Sequence, residues 1–229
     1  MSVYVIGDLH LSFGTNKPMN IFGENWENHA EKIKNNWNKK VKETDTIILL
    51  GDFSWAMSIK DTIEDFKYLS KLKGKKILLK GNHDYWWTTV TNMKKFLKNN
   101  DFDNIDFLFN NSFLIEDKAY VGTRGWSITD IDNEKMHNRE KIRLEISLKS
   151  AKEKYPNKDI IACMHYPPLT EQKTETEYTR IMEEYRVKKC YYGHLHGISH
   201  KEAVEGKINN IEYKLVSSDY LKFDLLKVE

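Results

Sequence analysis

Aspartate, asparagine and histidine side chains recur in short motifs along most of the chain, and these residue types bind metal ions. The motifs are, in order, Asp8-Leu9-His10, Gly51-Asp52, Gly81-Asn82-His83-Asp84, His165 and Gly193-His194-Leu195-His196. Five of the eight histidines fall within them. Mixed imidazole, carboxylate and amide ligands suit Mn, Fe, Zn or Co better than an all-oxygen Mg or Ca cage. The motifs therefore predict a metal site.

Each motif alone also has an ordinary structural interpretation. Gly81-Asn82-His83-Asp84 is compatible with a plain turn that holds Asn in a left-handed conformation. His165 precedes Tyr-Pro-Pro and is equally compatible with a strand-end histidine bonded to the backbone. The motifs taken together, in this order, favour the metal site over these separate interpretations.

The elements that must position the motifs alternate between two patterns. Short runs rich in Val, Ile and Leu predict strands, and apolar residues at helical spacing between them predict amphipathic helices, which indicates an α/β fold. The predicted strands are Val3–Ile6, Thr46–Leu50, Lys76–Leu79, Ala119–Val121, Ile160–Met164 and Cys190–Tyr192. The predicted helices cover about 26–41, 59–72, 88–99, 134–155 and 176–186.

Every metal-binding motif directly follows one of the predicted strands. In open α/β sheets, ligands bind in the crevice beyond the carboxyl ends of the strands. Glycines beside several motif residues permit tight turns and close approach of the backbone to a bound group. We therefore expect the motifs to meet in one crevice.

The C-terminal part of the chain has a different pattern. His200–Val204 and Ile211–Ser217 flank a Glu205-Gly206 turn signal, which predicts antiparallel strands rather than another strand-helix unit. The sheets are therefore expected to be mixed. No internal repeat or linker-like segment interrupts the chain, so we predict a single domain over residues 1–229.

Composition limits the partners and the compartment. The formal net charge is +2, which gives no broad electrostatic reason to expect nucleic acid or a membrane surface. The N-terminus lacks the pattern of a secretory signal, and no apolar run approaches the roughly 20 residues that span a bilayer. Cys163 and Cys190 lie in predicted buried strands, where reduced thiols are expected. These observations predict a cytoplasmic protein.

The ordered motifs from Asp8 to His196 resemble those of the calcineurin-like metallophosphoesterase superfamily. This resemblance implies two mixed β-sheets packed as a sandwich and flanked by helices, an αββα arrangement. It also implies two divalent metal ions, of which we favour Mn or an Fe-containing pair, with Zn or Co as alternatives. One ion would take Asp8, His10, Asp52 and His196, and the other Asp52, Asn82, His165 and His194.

The resemblance further implies a reaction. Two ions roughly 3.5–4 Å apart clamp phosphoryl oxygens, and a hydroxide shared between them attacks phosphorus in line. Asp52 would bridge the ions and offset their repulsion. His83 resembles the family's general acid, which protonates the leaving-group oxygen, and Asp84 would orient its ring. A turn-stabilising role is the alternative for Asp84.

The chain departs from the protein phosphatases of the superfamily in one respect. Those enzymes continue the Gly-Asp motif into Asp-Arg-Gly, and that Arg helps to hold phosphate. Here Phe53-Ser54-Trp55 follow Asp52, which places a phosphoprotein substrate in doubt. Arg124, between Thr123 and Gly125 after a predicted strand, is the candidate replacement, and a surface salt bridge is its alternative.

Two aromatic segments are candidate substrate contacts. Tyr85-Trp86-Trp87 follow the His83 turn and would either stack on an aromatic leaving group or cap the core. The loop 11–25, which carries Phe13 and Phe22, is expected to line the crevice.

The predicted function is hydrolysis of a phosphate mono- or diester in a small or medium-sized molecule. A metal-dependent nuclease of the same superfamily is the alternative enzyme, and steep salt dependence of binding would distinguish it. A non-catalytic scaffold is a further alternative, although every expected ligand position is filled.

Overall fold

Buried strands form the centre of the fold. The computed structural model describes residues 1–130 and 132–229. One sheet has the order β11-β1-β2-β3-β4, and the other has the order β5-β6-β7-β8-β10-β9. The first sheet consists of β1 (Val3–Ile6), β2 (Thr46–Leu50), β3 (Lys75–Leu79), β4 (Ile105–Phe107) and β11 (Leu226–Lys227). The second consists of β5 (Phe113–Ile115), β6 (Lys118–Thr123), β7 (Asp159–Met164), β8 (Lys189–Tyr192), β9 (Gly206–Ile208) and β10 (Ile211–Leu215).

Helices cover the outer faces of both sheets. They are α1 (His29–Lys40), α2 (Ile63–Ser70), α3 (Val90–Asn99), α4 (Glu134–Lys154) and α5 (Glu177–Glu184). Short 3-10 turns occupy Met19–Phe22, Glu24–Trp26, Ile59–Thr62 and Gly197–Glu202. In the described part of the chain, no helix combines the length and the apolar character needed to cross a membrane.

The side chains of the central strands alternate between two apolar layers, as the pleat of a β-strand requires. In β1, Val3 and Val5 belong to the layer between the sheets, which also contains Ile161 of β7. Tyr4 belongs to the layer beneath α1, with Trp37. A third layer packs α4 and α5 onto the second sheet. The predicted sandwich of two mixed sheets flanked by helices is confirmed.

The parallel strands share one direction within each sheet. β1, β2, β3 and β4 pair in parallel in the first sheet, and β6, β7, β8 and β10 do so in the second. The remaining strands, β11, β5 and β9, add in antiparallel orientation at the edges. The loops that carry the predicted motifs therefore leave the carboxyl ends of parallel strands in both sheets.

The prediction for the C-terminal part was wrong in three details. His200–Val204 is not a strand, because residues 197–202 form a 3-10 turn. The hairpin turn lies at Asn209-Asn210, both with positive φ, rather than at Glu205-Gly206. In addition, β10 pairs in parallel with β8, so this region is not an antiparallel meander. The short strands β4, β5, β9 and β11 were not predicted from the sequence.

Candidate metal centre

Backbone hydrogen bonds bring the strand ends of both sheets together. The amide of Asp8 donates to the carbonyl of Gly51 at 2.9 Å, which joins the loops after β1 and β2. The amide of Gly193 donates to His165 at 3.1 Å and joins the loops after β7 and β8. The amide of Gly7 donates to Val216 at 2.7 Å and connects the two sheets. The predicted motifs therefore lie in one crevice.

Two motif glycines are required because a carboxylate or imidazole lies where a side chain would be. A Cβ at Gly193 would lie 2.5 Å from Oδ2 of Asp8. A Cβ at Gly51 would lie 2.7 Å from Nδ1 of His165, and Gly51 also has a φ of +89°. Glycine alone tolerates both the close approach and this conformation.

Backbone strain is concentrated in the same crevice. Asp8, His10, Asp52 and His194 have φ values of 60°, 46°, 50° and 75°. A left-handed conformation at a residue other than Gly costs about 1–3 kcal/mol, and such residues cluster at functional sites. Four predicted ligands therefore occupy a conformation that local propensity disfavours, and the surrounding structure must hold them there.

One group of potential ligands contains Asp8, His10 and His196. Nε2 of His10 lies 3.3 Å from Nε2 of His196. Nε2 of His196 lies 3.5 Å from Oδ1 of Asp8. One potential ligand atom from each residue lies within 4.8 Å of the other two, and these are three of the four residues that the resemblance assigns to the first ion.

A second group contains Asp8, Asp52 and His165. Nε2 of His165 lies 2.6 Å from Oδ1 of Asn82 and 3.3 Å from Nδ1 of His194. The predicted ligands of the second ion are thus adjacent. Asp8 also lies close to this group, at 3.7 Å from Nδ1 of His165, which the sequence analysis did not anticipate.

Asp52 lies between the two groups. Its Oδ2 is 3.8 Å from Nε2 of His10 and 3.6 Å from Nε2 of His165. Its Oδ1 accepts the backbone amide of His83 at 2.8 Å, which fixes the carboxylate plane. One carboxylate oxygen is therefore close to an imidazole of each group.

Hydrogen bonds fix which nitrogen of two histidines is free. Nδ1 of His165 donates to the carbonyl of Leu50 at 2.9 Å, because a carbonyl oxygen only accepts. Nδ1 of His196 donates to the carboxylate of Asp219 at 2.8 Å. Nε2 of the neutral His165 then carries a lone pair directed into the crevice, and Nε2 of His196 would offer one when a metal ion displaces its proton. Such outer partners orient metal-binding histidines and increase their basicity.

Burial and neighbouring charges together shift the pKa values of the potential ligands. Burial lowers the pKa of His10 and His165, and burial together with the nearby His165 lowers the pKa of His194 to about 3. Burial opposes protonation of His196, but Asp8 and Asp219 raise its pKa to about 10. Burial, Asp84 and Asp8 raise the pKa of Asp52 well above its usual value.

This donor set fits divalent metal ions. Several neutral imidazoles, buried carboxylates and an amide oxygen face one another at distances of 2.6–3.8 Å. Acceptor atoms that face one another in a buried site repel unless a cation lies among them. The choice of Mn, Fe, Co or Zn, which the sequence analysis based on mixed nitrogen and oxygen ligands, stays a prediction.

Asp219 is a candidate functional residue that the sequence analysis missed. One oxygen accepts Nδ1 of His196, and the other accepts the amide of Gly197 at 3.1 Å. Nε2 of His200 lies 3.1 Å from the same carboxylate. The available signal was the polar run Ser217-Ser218-Asp219, which begins two residues after the end of β10, since this strand ends in the same crevice.

We expect Asp219→Asn to weaken metal binding by about 10- to 100-fold, the range for residues that orient metal ligands. The amide keeps the hydrogen bond to His196 but lacks the charge that makes its Nε2 basic. Titration of metal-free protein followed by calorimetry measures the change. Asp224→Asn is the matched control, because Asp224 pairs with the exposed Lys40 and, among the described residues, bonds to no predicted metal ligand. Equal affinity in both variants would contradict the role of Asp219.

His83 lies beside the first group of ligands. Its ring centroid is 4.4 Å from the indole of Trp55 and 5.8 Å from the ring of His10. Burial, with His165 and Lys17 nearby, lowers the pKa of His83 to about 4. This low pKa keeps the ring neutral at neutral pH.

Asp84 does not orient the ring of His83, which corrects the prediction. Its Oδ1 accepts the amide of Phe53 at 2.9 Å, and its Oδ2 accepts those of Asp52 at 2.9 Å and Gly81 at 2.7 Å. Nε1 of Trp86 also donates to Oδ1 at 2.9 Å. The alternative interpretation of a turn-stabilising carboxylate is therefore the one this geometry supports. Asp84 ties the loop after β2 to the loop after β3.

Arg124 is nearly buried, with 9% of its side chain exposed, rather than on the surface. Its Nη2 lies 3.4 Å from Oε1 of Glu140, which also pairs with Arg143 at 2.6 Å. The guanidinium lies 4.7 Å from the ring of Trp126. Among the described residues, none of its hydrogen bonds or ion pairs is with a predicted metal ligand. Its phosphate-binding role stays a prediction.

The aromatic segments occupy different environments. Trp86 is buried against Phe53 and Phe66, which agrees with a core cap. Trp87 is half-buried, and Tyr85 is exposed. Phe22, from the loop 11–25, lies at the crevice beside Trp55, at 6.5 Å between ring centroids.

Comparisons with known proteins give a family match and fold relatives. The family model described as calcineurin-like phosphoesterase matches residues 1–197. A comparison with curated proteins finds no significant match. Among solved structures, a protein from Thermus thermophilus is similar with a TM-score of 0.62 and 13% identity, over 99% of this chain and 97% of that one.

Two further structures cover almost the whole chain. Phosphopantetheinyl hydrolase from Mycobacterium tuberculosis aligns with a TM-score of 0.58 and 13% identity, over 99% of this chain and 95% of that one. A protein of unknown function from Aquifex aeolicus aligns with a TM-score of 0.53 and 19% identity, over the same shares. At these identities the likeness concerns the fold alone.

Proposed function

Since the chain belongs to the calcineurin-like phosphoesterase family and is a metal-dependent phosphoester hydrolase, we propose that it uses two divalent ions. The proposed substrate is a phosphate mono- or diester of a small or medium-sized molecule. The observation that carries the two-ion proposal is the position of Asp52. Its Oδ2 lies within 4 Å of an imidazole nitrogen in each ligand group, at 3.8 Å and 3.6 Å. A bridging carboxylate requires this placement.

The residues divide between two ions in this proposal. Asp8, His10 and His196 hold one, Asn82, His165 and His194 hold the other, and Asp52 serves both. When bound, the ions would polarise the phosphoryl oxygens and increase the acidity of a water molecule. The ligand chemistry favours Mn²⁺ or an Fe-containing pair, with Zn or Co as alternatives.

We assign proton donation to the leaving-group oxygen to His83. The ring lies beside the ligands but is not tied to them by a hydrogen bond among the described residues, and its Nδ1 is buried without a partner there. A free imidazole next to the ligands can follow the charge that develops on the leaving oxygen. Binding of a phosphate anion beside it would raise its pKa from the low value that burial imposes.

The two alternative functions make different demands on the chain. A nuclease would need a basic surface to hold the nucleic acid backbone, and a net charge of +2 offers no broad one. A non-catalytic scaffold would tolerate loss of ligands, whereas each expected ligand position is occupied by a competent side chain. The small-molecule esterase therefore remains the proposal.

Metal content and turnover test the proposal together. Protein purified without chelator is analysed for bound metal and then assayed on a panel of phosphate monoesters and diesters with added Mn²⁺. We expect two metal equivalents per chain and hydrolysis of at least one ester class. One equivalent with full activity would contradict the two-ion arrangement, and inactivity on every class would contradict the proposed substrates.

The role of Arg124 is tested separately. We expect Arg124→Ala to lower the free energy of unfolding by about 1–3 kcal/mol, because Glu140 loses one of its partners in a buried site. Chemical denaturation measures this loss, and Arg124→Lys should recover part of it. An unchanged KM for a monoester in the folded variant would contradict phosphate binding by Arg124. An unchanged free energy of unfolding would contradict the structural role.

A further inference from the structure

A cavity of about 320 Å³ opens directly beside the candidate metal centre. One wall consists of three site histidines, His10, His83 and His196. The remaining lining is almost entirely apolar and is formed by Met19, Phe22, Trp26, Trp55, Gly197 and Ile198. A group bound in this cavity would therefore touch both the ligand residues and an aromatic surface.

Aromatic rings in the lining pack directly on the histidines. The indole of Trp55 stacks on the ring of His10, with centroids 4.8 Å apart and planes 20° apart. Trp26 contacts His10 and His196 edge-on, at 5.7 Å and 5.6 Å. Phe22 is nearly parallel to Trp55, with 12° between the planes. The rings that hold the histidines in place thus also form the wall of the cavity.

Two large apolar side chains are exposed to water at this cavity. Phe22 is 56% exposed and Ile198 is 80% exposed. A single exposed apolar residue needs no explanation, but exposed apolar residues that share one cavity next to a site indicate ligand binding. Their apolar surface would be removed from water by a bound apolar group.

Outside its three histidines, the described lining offers no charged side chain to a polar occupant. It contains no Asp, Glu, Lys or Arg among the described residues. The nearest ammonium that the structure places on the aromatic wall is that of Lys17, 3.2 Å from the ring centroid of Trp55. A sugar or a carboxylate packed against Met19, Phe22 and Ile198 would lose hydration, and these side chains offer no hydrogen-bond partner in return, which is unfavourable.

We propose that this cavity binds the leaving group of the phosphate ester and selects an apolar, preferably aromatic, one. The inference rests on the proposed function, because it places His83 at the leaving-group oxygen, and His83 itself lines the cavity. The substrate class is then a phosphate ester of a hydrophobic alcohol or phenol, and phosphorylated sugars are poor substrates.

Phosphonates that cannot be hydrolysed test this selection by binding alone. Methylphosphonate, benzylphosphonate and 3-phosphonopropionate share one head group and differ in the tail, which is small, aromatic or anionic. Calorimetry on the protein with added Mn²⁺ gives each Kd. We expect benzylphosphonate to bind about tenfold more tightly than methylphosphonate or better, since burial of an aromatic ring contributes at least that factor. 3-Phosphonopropionate, with its anionic tail, should bind no more tightly than methylphosphonate.

Variants at the exposed rim locate the effect. Phe22→Ala combined with Ile198→Ala should reduce the preference for benzylphosphonate to about threefold or less, while methylphosphonate binding is retained. Ile21→Ala is the matched control, because Ile21 is 67% exposed, neighbours Phe22 and does not line the cavity. Thermal denaturation confirms that the variants are folded, which is expected at exposed positions.

The outcomes separate the inference from the proposed function. Equal affinity for the three phosphonates, in a protein that hydrolyses phosphate esters, would overturn the leaving-group cavity alone. If the double variant still preferred benzylphosphonate as strongly as the wild type does, the aromatic ring would bind elsewhere. That result would also overturn the leaving-group cavity. Failure to bind any phosphonate, together with inactivity on the ester panel, would count against the proposed function and hence against both.

Discussion

Asp52→Asn is expected to abolish hydrolysis and to lower metal content more than any other single ligand substitution. Asp52 lies within reach of both ligand groups, and an amide cannot carry the negative charge that offsets repulsion between two cations. Metal analysis and turnover with added Mn²⁺ measure both losses. The hydrogen bond from the amide of His83 survives, because the Asn oxygen still accepts it.

The same substitution should stabilise the metal-free protein. Burial and the neighbouring Asp84 and Asp8 raise the pKa of Asp52 in the folded protein. At any pH above the pKa that Asp52 has in the unfolded chain, this shift lowers the free energy of unfolding. Asn removes this penalty at neutral pH, and the denaturation midpoint without metal should rise. With metal present, the wild type should have the higher denaturation midpoint, because only the wild type gains binding energy from both ions.

Asp103→Asn serves as the control for both measurements, since Asp103 is exposed and distant in sequence from every motif. It should leave metal content, turnover and midpoint unchanged. Two full metal equivalents with near-normal turnover in Asp52→Asn would contradict the proposal that Asp52 bridges the two ions.

The second large effect is expected at His83. His83→Ala should keep both ions, because the described hydrogen bonds of the ligands involve the backbone amide of His83 and not its ring. Loss of a general acid lowers kcat by roughly 10² to 10⁴. The loss should be smaller for nitrophenyl esters, because a nitrophenolate leaves without a proton. Steady-state kinetics on an alkyl ester and a nitrophenyl ester measure the difference.

His137→Ala is the histidine control for this experiment. Nε2 of His137 contacts the carbonyl of Asp130, and the residue is half-buried away from the ligands. It should not change the ratio of the two esters. An equal loss for both esters in His83→Ala would show that the ring positions the phosphate instead of donating a proton.

The aromatic rings beside the site connect its stability to its selectivity. Trp55 both stacks on His10 and lines the leaving-group cavity, so substitution there would disturb a ligand and the cavity together. The rim residues Phe22 and Ile198 lack this double role because they are exposed. Changes in substrate preference are therefore best sought at the rim and not at Trp55.

The central strands and the potential ligands could be predicted from local sequence patterns. Apolar runs such as Thr46–Leu50 are typical of buried strands, and Asp52 follows that run almost directly. Local spacing is sufficient here, because parallel strands carry whatever follows them to a common edge. Local spacing also predicted the alternation of strands and helices, whereas the sandwich of two sheets was implied by the resemblance to the metallophosphoesterase superfamily. The role of the motif glycines could also be predicted, since few other residues fit a tight turn next to a carboxylate.

The partner of each polar side chain, in contrast, depends on three-dimensional packing. Asp84 is adjacent to His83 in sequence, yet its oxygens are taken by amides of Asp52 and Phe53, more than 30 positions earlier. Asp219 belongs to no motif and reaches His196 because β10 pairs in parallel with β8. The pairing of Arg124 with Glu140 and the stacking of Trp55 on His10 have the same origin. Such contacts join residues that periodicity cannot relate, because they depend on how the sheets and helices pack against one another.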